Sequence, residues 1–230
     1  MSIVCRGDIG LAVTVRGDLY KFGFPFSPGF VWNYPTLPPV AQAAIGSHGH
    51  GLYWSTGIHY AVVCRNGTLW TWGHNTFGQT GHDLALPVSG FVDILQLPRR
   101  ICWPLADQKI VNVACGAQTT FAVTDAGHVY SFGVGDRGQL GHGVYGVAGT
   151  KKVPTLIEQL KDVKVAMIAT HDSHSLCVSQ DGRVWSWGVN VCRQLGIEGV
   201  NAEFLALPTP VTGLDKQCPV VFVATSSVTS

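Results

Sequence analysis

The sequence predicts an all-β propeller of antiparallel blades, about four repeats arranged as a partial or irregular ring. Three observations predict it. An aromatic strand ending in glycine recurs four times. Those strands are apolar on both faces. The composition is that of a chain made of turns and short strands: among 230 residues there are 28 glycines and 12 prolines, with 46% hydrophobic and only 13% charged residues. Disorder needs the opposite balance, and punctuation this dense favours short strands over long helices.

The repeat unit begins at a turn glycine. Gly17, Gly67, Gly127 and Gly182 each stand five residues before an aromatic–glycine pair: Phe22-Gly23, Trp72-Gly73, Phe132-Gly133 and Trp187-Gly188. Within the unit, Gly127-His128-Val129-Tyr130-Ser131-Phe132-Gly133 matches Gly182-Arg183-Val184-Trp185-Ser186-Trp187-Gly188 position by position. An apolar strand precedes each turn: Leu11-Ala12-Val13, Ala61-Val62-Val63, Phe121-Ala122-Val123 and Leu176-Cys177-Val178. Each repeat therefore holds an antiparallel hairpin. Asn66-Gly67 and Asp181-Gly182 are expected to form type I′ turns, in which both central residues take positive φ. Val184 faces one side of its strand, Trp185 and Trp187 the other. A strand apolar on both sides is covered on both sides, which a stack of small sheets provides.

A second signature follows the last three aromatic–glycine pairs. Gln79, Gln139 and Gln194 each lie six residues after the glycine, in Gly78-Gln79-Thr80-Gly81, Gly138-Gln139-Leu140-Gly141 and Arg193-Gln194-Leu195-Gly196. Paired glycines suit a tight loop, and a glutamine amide offers that loop both a donor and an acceptor. Pro98, Pro154 and Pro208 then open a further strand, a position proline tolerates.

Together these strings resemble the regulator of chromosome condensation repeat family. The likeness is densest from Val113-Ala114-Cys115-Gly116 through Phe121-Ala122-Val123, Gly127 and Phe132-Gly133 to Gly138-Gln139-Leu140-Gly141. His59-Tyr60 and His174-Ser175 fall where the family has a His-Thr or His-Ser pair, while Thr119-Thr120 and Ile9-Gly10 replace it in the third and first repeats. The first repeat has no Gly-Gln-x-Gly. The resemblance implies a propeller of four-stranded blades, usually seven, and covers nearly the whole chain. We divide residues 1–230, a single repeat domain, into repeats 1–50, 51–110, 111–164 and 165–219. Residues 220–230 are expected to be the first strand of an incomplete fifth repeat, because Val221-Phe222-Val223-Ala224-Thr225 aligns with Val111-Asn112-Val113-Ala114-Cys115. An open arc exposes two blade faces, so a fragment, closure with a partner or further blades, self-association, or a small irregular ring is expected.

Composition narrows the function classes. Net charge is +1, and the only basic pairs are Arg99-Arg100 and Lys151-Lys152, so no direct nucleic-acid contact is expected. No apolar run approaches the roughly 18 residues of a membrane span, and Met1 to Gly10 has no signal-peptide core. Seven scattered cysteines without a C-x-x-C pair suggest a reducing compartment, cytoplasmic or nuclear. Most of them are expected to be small buried hydrophobes.

Other motifs have plain explanations. Gly133-Val134-Gly135-Asp136-Arg137-Gly138 matches G-x-G-x-x-G, but no helix start follows it. The second Arg-Gly-Asp string, at 16–18, and the sequon Asn66-Gly67-Thr68 coincide with hairpin turns, while the first, at 6–8, follows a strand and is read as coincidence of composition. His48 and His50 lack the three or four convergent ligands of a zinc site. No catalytic, cofactor or metal residues are assigned.

The expected function is a non-enzymatic protein–protein interaction module without a cofactor. The resemblance also implies guanine-nucleotide exchange on a Ran-like small GTPase as an alternative, and a chromatin-binding or ubiquitin-ligase-associated propeller as a second. A protein partner is expected, with a small GTPase as one class. Contacts are expected in the long segments 83–110 and 142–164 and on the loop Asp136-Arg137. Phe91, Leu95, Trp103 and Tyr145 are candidate anchors in those segments, since aromatics are enriched at interfaces.

Overall fold

A computed structural model describes residues 2–23, 31–47, 57–83, 94–214 and 218–225. Its strands form four antiparallel sheets of four, each a simple meander in chain order. Blade 1 comprises β1 (Ser2–Arg6), β2 (Ile9–Val13), β3 (Leu19–Gly23) and β4 (Val31–Asn33). Blade 2 comprises β5 (Val40–Gly46), β6 (His59–Cys64), β7 (Leu69–His74) and β8 (Ile94–Arg100). Blade 3 comprises β9 (Ile110–Cys115), β10 (Thr119–Thr124), β11 (Val129–Gly133) and β12 (Lys151–Leu156). Blade 4 comprises β13 (Val165–His171), β14 (His174–Ser179), β15 (Val184–Val189) and β16 (Phe204–Pro210). The division expected at residue 50 therefore falls inside blade 2, because Val40–Gly46 pairs with His59–Cys64.

The hairpin turns differ from the type I′ expectation. Gly67 takes φ +81° and Gly182 +81°, but among the described non-glycine residues only Asp172 and Arg193 have positive φ. In blade 2 the Gly67 N–H donates to the Cys64 carbonyl (2.8 Å) and the Cys64 N–H to the Thr68 carbonyl (2.9 Å). That is the three-residue loop, a type I turn closed by one left-handed glycine. The same two bonds recur at Thr14/Gly17/Asp18, Thr124/Gly127/His128 and Ser179/Gly182/Arg183. Asn66 serves through its side chain instead: its Oδ1 accepts the Thr68 N–H at 3.1 Å.

The turn glycine also joins blades. A Cβ on Gly127 would lie 2.7 Å from Lys164 Cα, the residue just before β13. That closeness lets the Val165 N–H reach the Gly127 carbonyl at 3.1 Å. The equivalent bonds run from Val40 to Gly17 (2.8 Å), Ile110 to Gly67 (2.9 Å) and Val220 to Gly182 (3.2 Å). Side-chain amides tie the first strands laterally. Gln42 exchanges bonds with the Val113 backbone, and Asn112 Oδ1 accepts the Ile168 N–H at 3.0 Å.

The core lies between blades. Leu11, Val62 and Trp72 sit in the cluster joining blades 1 and 2, Ala61, Val113 and Phe132 in the next, and Phe121, Ile168 and Trp187 in the third. β6, β10 and β15 are buried at every position, as strands covered on both faces must be. The link after each of blades 2 and 3 inserts two aliphatics, Ile101 with Leu105 and Ile157 with Leu160. All four are at most 3% exposed. Full burial of each such side chain is worth roughly 1.5–3 kcal/mol. After blade 4, Val223 packs on Val178 and Val184, whereas Leu214 is 47% exposed. Residues 220–225 are assigned to no strand.

Cysteine burial also departs from expectation. All seven cysteines are free; Cys64, Cys115 and Cys177 are buried, and Cys5, Cys102, Cys192 and Cys218 are exposed. Burial pushes the thiols of Cys115 and Cys177 up to about 12.

Candidate protein-interaction face

In a four-stranded meander, the connections after the first and third strands leave one end of the sheet. Those after the second and fourth leave the other. The first end carries the turns at 6–9, 115–119 and 171–174, the end of β5 at Gly46 and Ser47, and the Gln79, Gln139 and Gln194 loops. The second carries the turn glycines and the inter-blade links.

The three glutamine loops share one scaffold. Each Gln Oε1 accepts the N–H two residues before it: Phe77 at 3.0 Å, Arg137 at 2.9 Å and Cys192 at 2.9 Å. A hydroxyl from the strand below holds the far side of each loop. Thr71 Oγ donates to the Thr80 carbonyl (2.5 Å), Ser131 Oγ to that of Leu140 (2.8 Å) and Ser186 Oγ to that of Leu195 (2.7 Å). These hydroxyls stand between the two aromatics of each strand. Blade 1 has Lys21 there, whose Nζ lies 4.5 Å over the Tyr60 ring, and its sequence has no Gly-Gln-x-Gly after the aromatic–glycine pair.

Because Thr71 and Ser131 spend their protons on carbonyls, they accept from His82 Nε2–H (3.1 Å) and His142 Nε2–H (2.9 Å). Burial, aided by Arg99 and Lys151 respectively, lowers both imidazoles to about 4. The loops are also tied to the following blade. The Gln79 carbonyl accepts from Thr120 Oγ (2.7 Å), which accepts in turn from His59 Nε2–H (2.9 Å). Burial pulls His59 down to about 3. The Gln139 carbonyl accepts from Trp187 Nε1 at 2.9 Å.

The aromatic–glycine pairs serve the same scaffold. A Cβ on Gly133, at φ +108°, would stand 2.1 Å from the Gln118 carbonyl oxygen. Gly23, Gly73 and Gly188 are equally confined. Trp72, Phe132 and Trp187 are buried in the inter-blade core, and Phe22 is half-buried. A side chain at Gly10 would meet the Phe22 ring at 2.3 Å, which accounts for the glycine that replaces the His-Thr pair there.

The first-strand turns of all four blades meet at the centre of this face. Arg6 of blade 1 donates to Asp172 Oδ1 of blade 4 at 2.9 Å and to the Ser47 carbonyl of blade 2 at 3.3 Å. The Asp172 carbonyl accepts the Ala117 N–H of blade 3 at 3.4 Å. Arg6 is turned inward, its side chain 16% exposed, so the first Arg-Gly-Asp string is not displayed.

The structure brings only part of the expected contact set together. Asp136, Arg137 and Tyr145 lie on this face and are exposed, Tyr145 resting edge-on against Phe204 at 5.3 Å. Trp103, 72% exposed, belongs to the opposite face, because it follows a fourth strand. Leu95 packs against the core between blades 1 and 2. Phe91, His48 and His50 lie outside the described residues. Sequence reasoning missed the loop-tip residues Phe77 and Val191, which are 39% and 65% exposed. Their signal was available, since both occupy the two variable positions before the glutamine motif. Among the described residues, no group of three or more His, Cys, Asp or Glu is placed to hold a metal, and no helix is long and apolar enough to cross a membrane.

Comparison with known proteins gives consistent matches. The family model for the regulator of chromosome condensation (RCC1) repeat matches residues 66–123, 126–178 and 181–227, and a second RCC1 repeat model matches 110–139. Human E3 ubiquitin-protein ligase HERC2 is 33% identical over 199 residues, covering 81% of this chain and 4% of that protein. The RCC1 domain-containing protein RUG3, mitochondrial, of Arabidopsis thaliana is 32% identical over 234 residues, covering 94% of this chain and 48% of that one. The chain thus spans less than half the length of these relatives. Among solved structures, human WBSCR16 superposes with a TM-score of 0.73 at 24% identity, over 94% of this chain and 55% of that one. Prp20p of Saccharomyces cerevisiae superposes with a TM-score of 0.60 at 18% identity, over 90% and 61%. Its structure is described with binding properties to Gsp1p and histones. These structural likenesses concern the fold.

Proposed function

The chain belongs to the regulator of chromosome condensation (RCC1) repeat family, and on that premise we propose that it is a non-enzymatic protein–protein interaction module that engages its partner through the face carrying the glutamine loops. One observation carries this reading. The three loops repeat the same internal bonds but differ at the two residues before the motif: Thr76-Phe77, Asp136-Arg137 and Val191-Cys192. All six residues are exposed. A rigid scaffold with variable exposed tips is how propellers and other repeat folds present binding residues.

The test compares partner capture by proximity cross-linking for three proteins. One is wild type. One carries Phe77→Ser, Tyr145→Ser and Val191→Asp on this face. One carries Trp103→Ser on the opposite face. The reading expects the first variant to lose its partners and the second to keep them. Equal loss in both, or none in the first, overturns it.

Guanine-nucleotide exchange is the competing reading, and Gsp1p, named for Prp20p, defines the class of GTPase to try first. Release of a fluorescent nucleotide from a panel of purified small GTPases discriminates. No acceleration at micromolar protein removes exchange for that panel. Histones, named for the same protein, and ubiquitin-ligase assemblies, suggested by the HERC2 name, are further partner classes for the cross-linking readout. We place the protein in the cytoplasm or nucleus, supported by its seven unpaired cysteines. A fluorescent fusion found in mitochondria, as the RUG3 name would suggest, refutes that placement.

A further inference from the structure

Two cavities of about 170 and 160 Å3 lie side by side on this face between blades 3 and 4. Arg137, Asp172 and Ser173 line both. We propose that the cleft they form binds a single carboxylate, the Asp or Glu side chain of an exposed loop on a protein partner, with Arg137 as its anchor. The proposal rests on reading this face as the interaction surface.

The cleft carries an unspent positive charge and unspent donors. The cleft holds two carboxylates, and each has one oxygen bonded within the protein. Asp172 Oδ1 takes the Arg6 guanidinium at 2.9 Å. Asp136 Oδ1 takes Gln139 Nε2 at 2.8 Å. Arg137 has no ion pair among the described residues. Its backbone N–H is fixed by Gln139 Oε1, which anchors the base of the side chain and leaves the guanidinium fork for a ligand. The other polar groups add donors. Gln194 spends its Oε1 on the Cys192 N–H and keeps its NH2 for a ligand. Thr119 lines the larger cavity, and its Oγ is buried without a hydrogen-bond partner.

A guanidinium fork and a carboxylate match in geometry as well as charge. The two resident carboxylates set the limit on ligand charge. One incoming carboxylate meets one fork, whereas a phosphate or nucleic-acid strand would bring several negative charges beside Asp136 and Asp172. A cationic side chain entering beside Arg137 would meet a guanidinium of like charge.

The experiment is a selection from a random dodecapeptide display library on the full chain, followed by titration of the selected peptides. The proposal expects Asp and Glu to be enriched. It expects Arg137→Gln to weaken the selected peptides roughly tenfold or more. Asp136→Asn keeps an acceptor for Gln139 while removing one negative charge from the cleft, so it should tighten them about threefold. A purely structural role for either residue would not produce these opposite signs. Enrichment of Lys and Arg, indifference to Arg137→Gln, weaker binding by Asp136→Asn, or no selected peptide each overturns the proposal. The broader reading fails separately. If acidic peptides bind through Arg137 but the Phe77, Tyr145 and Val191 lesions leave cross-linking intact, the interaction face has been misplaced. If those lesions abolish cross-linking while no acidic peptide is selected, only the carboxylate subsite is wrong.

Discussion

Ser131→Ala removes one oxygen that performs two tasks. Ser131 Oγ donates to the Leu140 carbonyl at 2.8 Å and accepts from His142 Nε2–H at 2.9 Å. Ser131 and Leu140 are 0% and 1% exposed, so the carbonyl loses its partner without gaining water. An unsatisfied buried group costs about 1–3 kcal/mol. His142 is half-buried and recovers part of its bond from solvent. The expected total is about 2–3 kcal/mol. In a chain of this size each kcal/mol shifts Tm by about 2–4 °C, giving a fall of roughly 4–12 °C by scanning calorimetry. The loss should also be local. Amide exchange should accelerate across 134–142 and stay unchanged across 74–82, where Thr71 makes the equivalent bonds. Ser131→Thr, which copies blade 2, should stay within about 1 kcal/mol of wild type. A Tm within about 2 °C of wild type for Ser131→Ala, with no change in exchange, would refute the view that this hydroxyl clamps the loop.

Acid should destabilise the fold through its buried histidines. His59, His82 and His142 are lowered to about 3, 4 and 4 by burial. The unfolded chain therefore binds their protons first, and stability falls as pH drops from about 6.5 towards 4, by at most about 1.4 kcal/mol per pH unit for the fully buried His59 and by less for the solvent-screened His82 and His142; a urea midpoint that stays flat over that range contradicts the assignment. Gly133→Ala places a Cβ 2.1 Å from the Gln118 carbonyl oxygen and should cost more than about 3 kcal/mol, while Gly146→Ala, at φ +69° with nothing within 4 Å, should cost only about 1. Comparable soluble yields and melting curves for the two would count against steric confinement. Arg6→Ala should lower stability by about 1–3 kcal/mol. It should also speed exchange at residues 6–9 and 172–174 together, and independent behaviour of the two turns would show that the central bridge does not couple them.

The blade count, the hairpins and the glutamine loops were readable from the sequence, because the same residue types return at fixed offsets and each offset has one geometric solution. The turn type was misread, since Asn-Gly and Asp-Gly favour I′ turns in isolated hairpins. Here the adjoining link passes so close to the glycine that a three-residue loop with one left-handed residue fits instead. The clamp hydroxyls Thr71, Ser131 and Ser186 were in plain view, and Lys21 in the one repeat without the glutamine motif marks their role. Their meaning escaped because a small polar residue between two aromatics reads as filler on a strand. Trp103 was offered as a contact beside Asp136 and Arg137 for its aromatic character and its place in a long segment. Counting strands would have separated them. The Arg6–Asp172 bridge spans 166 positions, and no local pattern announces a pairing at that distance.

The bond from each turn glycine to the start of the next blade has a mechanical consequence. Gly17, Gly67 and Gly127 each hold the first residue of the following blade, so the three junctions between described blades are fastened at the same point in the unit. Pulled from its ends, such a chain is a series of like couplings, and rupture should come blade by blade as a saw-tooth of similar forces. The Arg6–Asp172 bridge sits outside that series, joining the first blade to the fourth. It acts as a safety strap across the assembly, which must part before the outer blades can swing away from each other.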